Sequence, residues 1–183
     1  MKRYGFFSLL IALTACTKST PLPVYGATSD FELTAQTGEK FSREALDGKI
    51  WVADFIFTSC AGPCPRMSSQ MRQVQSLVAR IPDVRLVSFT VDPERDTPEV
   101  LAEYAKRYRA EPGRWHFLTG DRETLHRLKL DTFKLGSVDG NLNHSTRFVL
   151  VDRRGRIRGY YGTMEDGFIP QLVRDIRALA REG

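Results

Sequence analysis

The chain has 183 residues, which is enough for one domain with a sizeable hydrophobic core and too few for two comfortable ones. Its formal net charge is +5, and the basic residues are scattered along the chain without interleaved aromatic side chains. This pattern argues against a nucleic-acid partner, because nucleic-acid-binding proteins concentrate basic charge in a patch or stripe.

The first residues have the pattern of a secretory signal. Two basic residues precede an apolar run, 6–13, that is too short to span a bilayer as a permanent helix. The run ends in Leu-Thr-Ala-Cys at 13–16, which resembles the lipobox of bacterial lipoproteins, whose cysteine is lipidated and becomes the mature N-terminus. We therefore expect a lipoprotein signal peptide over residues 1–15 and lipidation of Cys16.

The number of cysteines agrees with lipidation. The chain has three cysteines, and an odd thiol is a liability in an exported protein. Modification of Cys16 leaves Cys60 and Cys64 as a pair. Residues 16–29 are rich in Thr, Ser and Pro, so we expect them to form a lipidated tether to a domain that spans residues 30–183. The protein is then exported, lipid-anchored and facing the periplasm.

Hydrophobic patterning predicts an α/β sandwich with a mixed sheet. Strands are indicated by short apolar runs and helices by apolar residues at i, i+3 and i+4. In chain order the predicted elements are a hairpin at 31–34 and 40–41, a central strand at 49–57, a helix over 65–80, a strand at 84–91, a helix capped by Thr97, a strand at 115–119, a helix capped by Asp121, a loop at 135–145, a hairpin at 147–152 and 157–161, and a closing helix over 169–179. This order of elements is typical of an α/β sandwich.

The predicted central strand leads into a loop with two cysteines. Cys60 and Cys64 lie at the start of the following helix, where the helix dipole favours thiolate over thiol, so the pair can close as a disulfide or bind a soft metal. An inert structural disulfide is disfavoured, because a bridge over so short a loop stabilises little. Thiolate suits Cu(I) and imidazole suits both copper oxidation states, and His144 is the only histidine in a loop-like context. Zinc is a weaker candidate, because structural zinc usually has four protein ligands.

Two further groups of residues are compatible with metal binding but have simpler structural explanations. Met67 and Met71 offer thioether sulfur, yet their i, i+4 spacing is typical of residues in a hydrophobic core. Asp92, Glu94 and Asp96 have the composition of a hard-metal cluster. Helix capping and contact with a partner explain these acidic residues better.

Four motifs carry a resemblance to a known family. They are Phe-Thr-Ser-Cys-x3-Cys-Pro at 57–65, Thr-Val-Asp-Pro-Glu-Arg-Asp-Thr-Pro-Glu at 90–99, Trp-His-Phe-Leu-Thr-Gly at 115–120, and His144 before a strand. Together they resemble the Sco/SenC copper-chaperone family, and the resemblance runs from about Phe31 to the C-terminus. It implies a thioredoxin-like sandwich with an N-terminal hairpin and an inserted loop before the His144 strand. It also implies that Cys60, Cys64 and His144 bind copper, as Cu(I) or Cu(II).

The resemblance further implies a copper metallochaperone that assists assembly of the CuA site in cytochrome c oxidase. Its partner is then oxidase subunit II or a similar copper-thiolate acceptor, and we expect a monomeric domain. An oxidase partner favours the inner membrane, whereas Thr17 after the lipidated cysteine is compatible with the outer membrane. The alternative function is that of a thiol-disulfide oxidoreductase, whose redox-active Cys60 and Cys64 keep partner cysteines reduced without an obligate metal.

Two positions depart from the family pattern. Asn143 stands before the histidine where the family commonly has Asp, and residues 61–63 lack the acidic residue that many members have there. An amide orients the imidazole less strongly than a carboxylate, so Asn143 predicts weaker binding of Cu(II). Both changes also remove negative charge near the metal, which leaves the preference between Cu(I) and Cu(II) open. A general thioredoxin is disfavoured as well, because Asn143-His144-Ser145-Thr146 occupies the turn where thioredoxins have a proline.

Overall fold

An eight-stranded mixed sheet runs through the protein, whose computed structural model describes residues 21–136 and 146–182. The strands are β1 Gly26–Ala27, β2 Glu32–Ala35, β3 Lys40–Ser42, β4 Ile50–Ile56, β5 Val84–Thr90, β6 Trp115–Thr119, β7 Arg147–Val151 and β8 Arg156–Gly162. They lie in the sheet in the order β1-β8-β7-β4-β5-β6-β2-β3. The helices are α1 Cys64–Leu77, α2 Pro98–Arg107, α3 Arg122–Arg127 and α4 Phe168–Glu182, with a 3-10 helix at Arg43–Leu46 and a π-helical turn at Leu128–Thr132.

Strand β4 is the centre of the fold, and all seven of its residues are buried. It pairs in parallel with β5 and antiparallel with β7, and β5 pairs in parallel with β6. Because side chains alternate along a strand, Val52 and Ile56 face the core formed with α1 and α4, whereas Trp51 and Phe55 face the core formed with α3. The predicted central strand is therefore confirmed, and its near-continuous apolar run suits a strand that is covered on both faces.

The predicted hairpins and helix caps are also confirmed. Strands β2 and β3 form an antiparallel hairpin, and so do β7 and β8. Thr97 Oγ1 accepts a hydrogen bond from the Val100 N–H at 3.4 Å, and Asp121 Oδ2 accepts one from the Thr124 N–H at 2.7 Å. These side chains satisfy N–H groups that a helix leaves unpaired in its first turn.

The π-helical turn at Leu128–Thr132 was not expected. The Phe133 N–H donates to the Leu128 carbonyl at 2.9 Å, which closes a wider turn than that of an α-helix. The Phe133 ring then lies within 6 Å of the rings of Trp51, Phe55 and Phe89. A helical hydrophobic pattern does not reveal one extra residue in a turn. Here the wider turn accompanies the packing of Phe133 against the three aromatic rings.

The structure differs from the expected tether at its C-terminal end. Gly26–Ala27 pair with β8, and the Arg158 guanidinium donates to the Leu22 and Pro23 carbonyls at 2.6 and 3.0 Å. Arg158 is only 4% exposed and also pairs with Asp152 at 2.8 Å. A buried guanidinium needs acceptors for its donors, and backbone carbonyls supply them here. The amino-acid composition of the segment does not reveal this attachment, because these contacts are made by the backbone groups of the segment.

Several expectations concern residues outside the described ranges. Cys16, the signal peptide 1–15, Asn143 and His144 all lie there. Within the described part of the chain, no helix combines the length and the apolar character needed to cross a bilayer.

We expect Arg158→Ala to release the N-terminal segment from β8. The substitution removes two hydrogen bonds to backbone carbonyls and the ion pairs with Asp152 and Glu182, so the free energy of unfolding in urea should fall by about 2–3 kcal/mol. Amide exchange should become faster at Tyr25 and Thr28, whose N–H groups donate to the Ile157 and Gly155 carbonyls.

The matched control is Arg154→Ala, at an exposed arginine in the turn before β8. It should change the free energy of unfolding by no more than about 0.5 kcal/mol. Unchanged amide exchange at Tyr25 in Arg158→Ala would show that the segment is held in another way.

Candidate metal and redox centre

The two cysteines meet at the end of β4. We call residues 57–63 the cysteine loop; it begins where β4 ends and leads directly into α1, whose first residue is Cys64. Cys60 is 7% exposed, Cys64 is fully buried, and both thiols are free. Their side chains lie close enough to form a hydrogen bond with each other. The fold therefore brings together the two cysteines that the motif singled out.

Burial controls the protonation of Cys64. It raises the pKa of this thiol well above its ordinary value, and the hydrogen bond with Cys60 raises it further. A hydrogen bond from the Phe57 backbone acts in the opposite direction and is weaker. The expectation that the helix dipole favours a thiolate is therefore wrong for Cys64, because burial outweighs the dipole. Metal binding or oxidation at Cys64 must displace a proton.

A buried carboxyl group, Asp54, lies on the same face of β4 as α1. Asp54 Oδ1 accepts a hydrogen bond from Ser88 Oγ at 2.6 Å, and Ser88 Oγ accepts one from Trp115 Nε1 at 3.0 Å. Asp54 Oδ2 has no hydrogen-bond partner among the described residues. Burial raises the pKa of Asp54 to about 7, and the charge of Asp54 contributes to the raised pKa of Cys64. An acidic residue inside an apolar strand was the sequence signal for this group, and it was overlooked.

A second buried carboxylate, Asp96, holds the start of the cysteine loop. It accepts hydrogen bonds from the Thr58 N–H at 3.1 Å, from Thr58 Oγ1 at 2.5 Å and from Thr90 Oγ1 at 2.5 Å. Helix capping does not explain Asp96, because the neighbouring Thr97 provides the cap of α2, as predicted.

The other two acidic residues of this segment make ion pairs. Asp92 lies 3.6 Å from Arg95, and Glu94 lies 2.8 Å from Arg122. Unlike Asp96, Glu94 has an exposed side chain. The three acidic residues therefore do not act as one cluster.

The described residues supply two of the three expected metal ligands. Nowhere in the ranges 21–136 and 146–182 do three or more His, Cys, Asp or Glu side chains form a group that could hold a metal ion. Met67 and Met71 are buried in the core cluster that contains both cysteines, as expected for core residues. His144 lies outside the described ranges, so its role stays a prediction.

The strand that follows His144 in sequence begins at the same edge of the sheet as the cysteine loop. The antiparallel pairing of Ala53 with Val149 places Arg147, the first residue of β7, near the end of β4. Thr146 precedes it, and its carbonyl accepts hydrogen bonds from the N–H and hydroxyl of Thr163, both at 2.7 Å. The chain therefore enters β7 beside the cysteine loop.

A mixed sheet with helices on both faces and a Cys-x3-Cys pair between a central strand and the first helix defines a thioredoxin-like dithiol protein. A sequence model of the SCO1/SenC family matches residues 22–181. The chain belongs to the SCO1/SenC family.

Known relatives agree with this assignment. The SCO1 protein homolog of Bacillus subtilis is 34% identical over 154 residues, which cover 81% of this chain and 80% of that protein. The crystal structure of a SCO1/SenC family lipoprotein from Bacillus anthracis has a TM-score of 0.77 at 32% identity, covering 85% of this chain and 95% of the other. The predicted thioredoxin-like sandwich is confirmed by this structural likeness.

Two further solved structures are similar to this chain. BsSco, described as a member of the Sco family of cytochrome c oxidase assembly proteins with a disulfide switch, has a TM-score of 0.76 at 30% identity, covering 88% of this chain and 98% of BsSco. Arabidopsis thaliana ScoI, solved with copper bound, has a TM-score of 0.70 at 25% identity, covering 83% of this chain and 99% of the other.

The raised pKa of Asp54 predicts a loss of stability between pH 5 and pH 8. The folded protein keeps this proton up to about pH 7, whereas an unfolded carboxyl group releases it near pH 4. The folded state thus binds more protons in this interval, and stability falls as the pH rises through it. Asp54→Asn removes the titration, so the variant should gain about 3 kcal/mol relative to wild type between pH 5 and pH 8.

Urea unfolding of the reduced protein at both pH values measures this difference. The control is Asp166→Asn, at an exposed carboxyl group, which should follow the wild-type profile. Parallel pH profiles for wild type and Asp54→Asn would contradict the assigned titration.

Proposed function

We propose that this protein is a copper metallochaperone that binds one copper ion through Cys60, Cys64 and His144 and assists assembly of the CuA site in cytochrome c oxidase. The observation that carries the proposal is the pair of free, adjacent thiols at the end of β4 in a member of the SCO1/SenC family. The copper in A. thaliana ScoI and the description of BsSco as an oxidase assembly protein support the same function.

The donor set suits copper. Two thiolates are soft ligands for Cu(I), and the imidazole of His144 adds a donor that serves both oxidation states. Copper binding releases the thiol protons, and the positive ion offsets the burial of the resulting negative charge. The entry of the chain into β7 beside the cysteine loop supports His144 as the third ligand. Asn143 provides no carboxylate to orient that imidazole, which weakens binding of Cu(II).

Copper transfer proceeds by ligand exchange from the accessible side of the pair. Cys60 is 7% exposed and Cys64 is fully buried, so an incoming ligand replaces Cys60 before Cys64. The acceptor is a protein with its own copper-binding cysteines, such as oxidase subunit II. Those cysteines must be reduced before their thiolates can accept the metal.

The N-terminal region anchors the domain to a membrane. Lipidation of Cys16 follows removal of residues 1–15, and the protein then faces the periplasm. Since residues 22–28 lie against the sheet, only six residue steps separate Cys16 from Leu22, and they reach about 20 Å when fully extended. The domain is therefore held close to the membrane surface.

Thiol-disulfide exchange is the second candidate function, and two observations favour it. The free thiols of Cys60 and Cys64 lie together, and BsSco is described as having a disulfide switch. In this reaction the Cys60 thiolate attacks a partner disulfide and forms a mixed disulfide, which Cys64 then resolves. The partner disulfide is reduced to two thiols, and Cys60 and Cys64 are oxidised to a disulfide.

Copper titration of the reduced protein tests the metallochaperone proposal. We expect one copper per chain and a thiolate-to-copper charge-transfer band after addition of Cu(II). Cys60→Ala or Cys64→Ala should abolish binding, and His144→Ala should weaken it at least tenfold, or about 1.4 kcal/mol. The control is His126→Ala, at an exposed position on α3, which should bind copper as wild type does. Stoichiometric binding that survives loss of both thiols would refute the proposal.

Reduction of a model disulfide by the metal-free protein tests the second function. Cys60→Ala should abolish the reaction, whereas His144→Ala should leave its rate within about twofold, because dithiol exchange needs no imidazole ligand. A fast reaction together with no copper binding would make dithiol exchange the main activity.

A further inference from the structure

We propose that Asp96 is a positioning residue that holds the cysteine loop, through Thr58, in the geometry needed for copper binding and thiol-disulfide exchange. The proposal deepens the function proposed above and rests on it. Asp96 contacts neither cysteine through any described hydrogen bond, so its effect passes through Thr58, which lies two residues before Cys60.

Asp96 and Thr58 are joined by more than one hydrogen bond. Both the N–H and the hydroxyl of Thr58 donate to the carboxylate, and Thr90 Oγ1 donates to it as well. The Asp96 side chain is fully buried, and no ion pair to it occurs among the described residues. Its charge is therefore stabilised by these neutral donors, and hydrogen bonds to a charged acceptor are stronger than those between neutral groups.

Asp96 and its partner Thr90 lie at or close to the ends of regular secondary-structure elements. Thr90 is the last residue of β5, and the residue after Asp96 is Thr97, the cap of α2. The Asp96 N–H also donates to the Asp92 carbonyl at 2.9 Å, which fixes the backbone of this turn. Asp96 thus connects β5 and the start of α2 to the beginning of the cysteine loop.

Residues 59–62 of the cysteine loop make few described hydrogen bonds. Ser59, Ala61 and Gly62 are exposed, and the Cys60 N–H donates only to the nearby Phe57 carbonyl at 3.3 Å. No described hydrogen bond joins residues 59–62 to another strand or helix. Among residues 58–62, Thr58 is therefore the one whose described hydrogen bonds fix the loop to the turn after β5 before α1 begins.

The placement of Cys60 matters for both proposed activities. A disulfide forms only within narrow limits of sulfur separation and torsion, and a metal site loses affinity when its ligands are not held in place. A loop released at Thr58 lets Cys60 move relative to Cys64, which stays fixed in α1. Copper affinity and the dithiol–disulfide equilibrium should then change together.

The test compares variants that remove and restore the same hydrogen bond. Thr58→Val removes the hydroxyl and keeps the shape, Thr58→Ser restores the hydroxyl, and Asp96→Asn removes the charge. Glu94→Gln is the matched control, because it makes an equivalent change at an exposed acidic residue of the same segment. Each full-length variant is assayed for Cu(I) affinity and, free of metal, for the equilibrium of Cys60 and Cys64 with glutathione.

We expect Thr58→Val and Asp96→Asn each to weaken Cu(I) binding at least fivefold and to shift the equilibrium with glutathione at least threefold. Thr58→Ser and Glu94→Gln should stay within twofold of wild type in both assays. The double variant Thr58→Val/Asp96→Asn should be no worse than the more affected single variant, because both changes remove one interaction.

The glutathione assay uses metal-free protein, so it tests the positioning role of Asp96 separately from the metallochaperone proposal. If wild type binds no copper, the metallochaperone proposal fails, and the glutathione assay still decides the role of Asp96. Should Asp96→Asn fail to fold, the pair Thr58→Val and Thr58→Ser carries the test. A shift in either assay that Thr58→Ser reverses supports the positioning role, and wild-type values in both assays for Thr58→Val overturn it.

Discussion

Parallel pairing of β4 with β5 is the constraint on which the geometry of the site depends. The two strands are joined through seven residue pairs, from Ile50 with Val84 to Ile56 with Thr90, so both end at the same edge of the sheet. The segments that follow them, the cysteine loop and the turn with Asp96, must therefore lie side by side. Strand β7 runs antiparallel to β4 and begins at this edge, which brings a third segment of the chain to the same place. The site is thus assembled by the sheet from segments that are far apart in sequence.

Two buried ionisable groups near this edge, Asp54 and Cys64, affect each other's protonation. Asp96 accepts hydrogen bonds from three donors, whereas Asp54 accepts one, and its second oxygen has no hydrogen-bond partner in the described part of the chain. Burial and mutual repulsion both oppose simultaneous charges on Asp54 and Cys64, because each negative charge raises the cost of the other. Without a metal, the protonated form of Cys64 is therefore favoured. A soft cation changes this balance, since it replaces the thiol protons with its own positive charge.

Local sequence patterns predicted most of the fold and only part of the site. The strands β4, β5 and β6 and the caps Thr97 and Asp121 follow from short-range signals, namely apolar runs and capping side chains. The pairing of β1 with β8 and the bond between Asp96 and Thr58 join residues that are 38 or more positions apart, and no local pattern reports them. The motif identified both cysteines but gave the wrong protonation for Cys64, because the helix position was visible and the burial was not.

Copper transfer and dithiol exchange share their first requirement and then diverge. Both proposed activities need Cys60 and Cys64 reduced, and both are proposed to begin at Cys60, which is 7% exposed whereas Cys64 is fully buried. They differ in what completes the reaction. Dithiol exchange ends when Cys64 closes the disulfide, so it needs the two sulfur atoms to reach the separation and torsion of a disulfide bond. A metal site needs the sulfur atoms held apart around the ion and a third donor at fixed distance, so it depends more strongly on a loop that is fixed at Thr58. The proposed positioning of Thr58 by Asp96 therefore bears on both activities, and more strongly on metal binding.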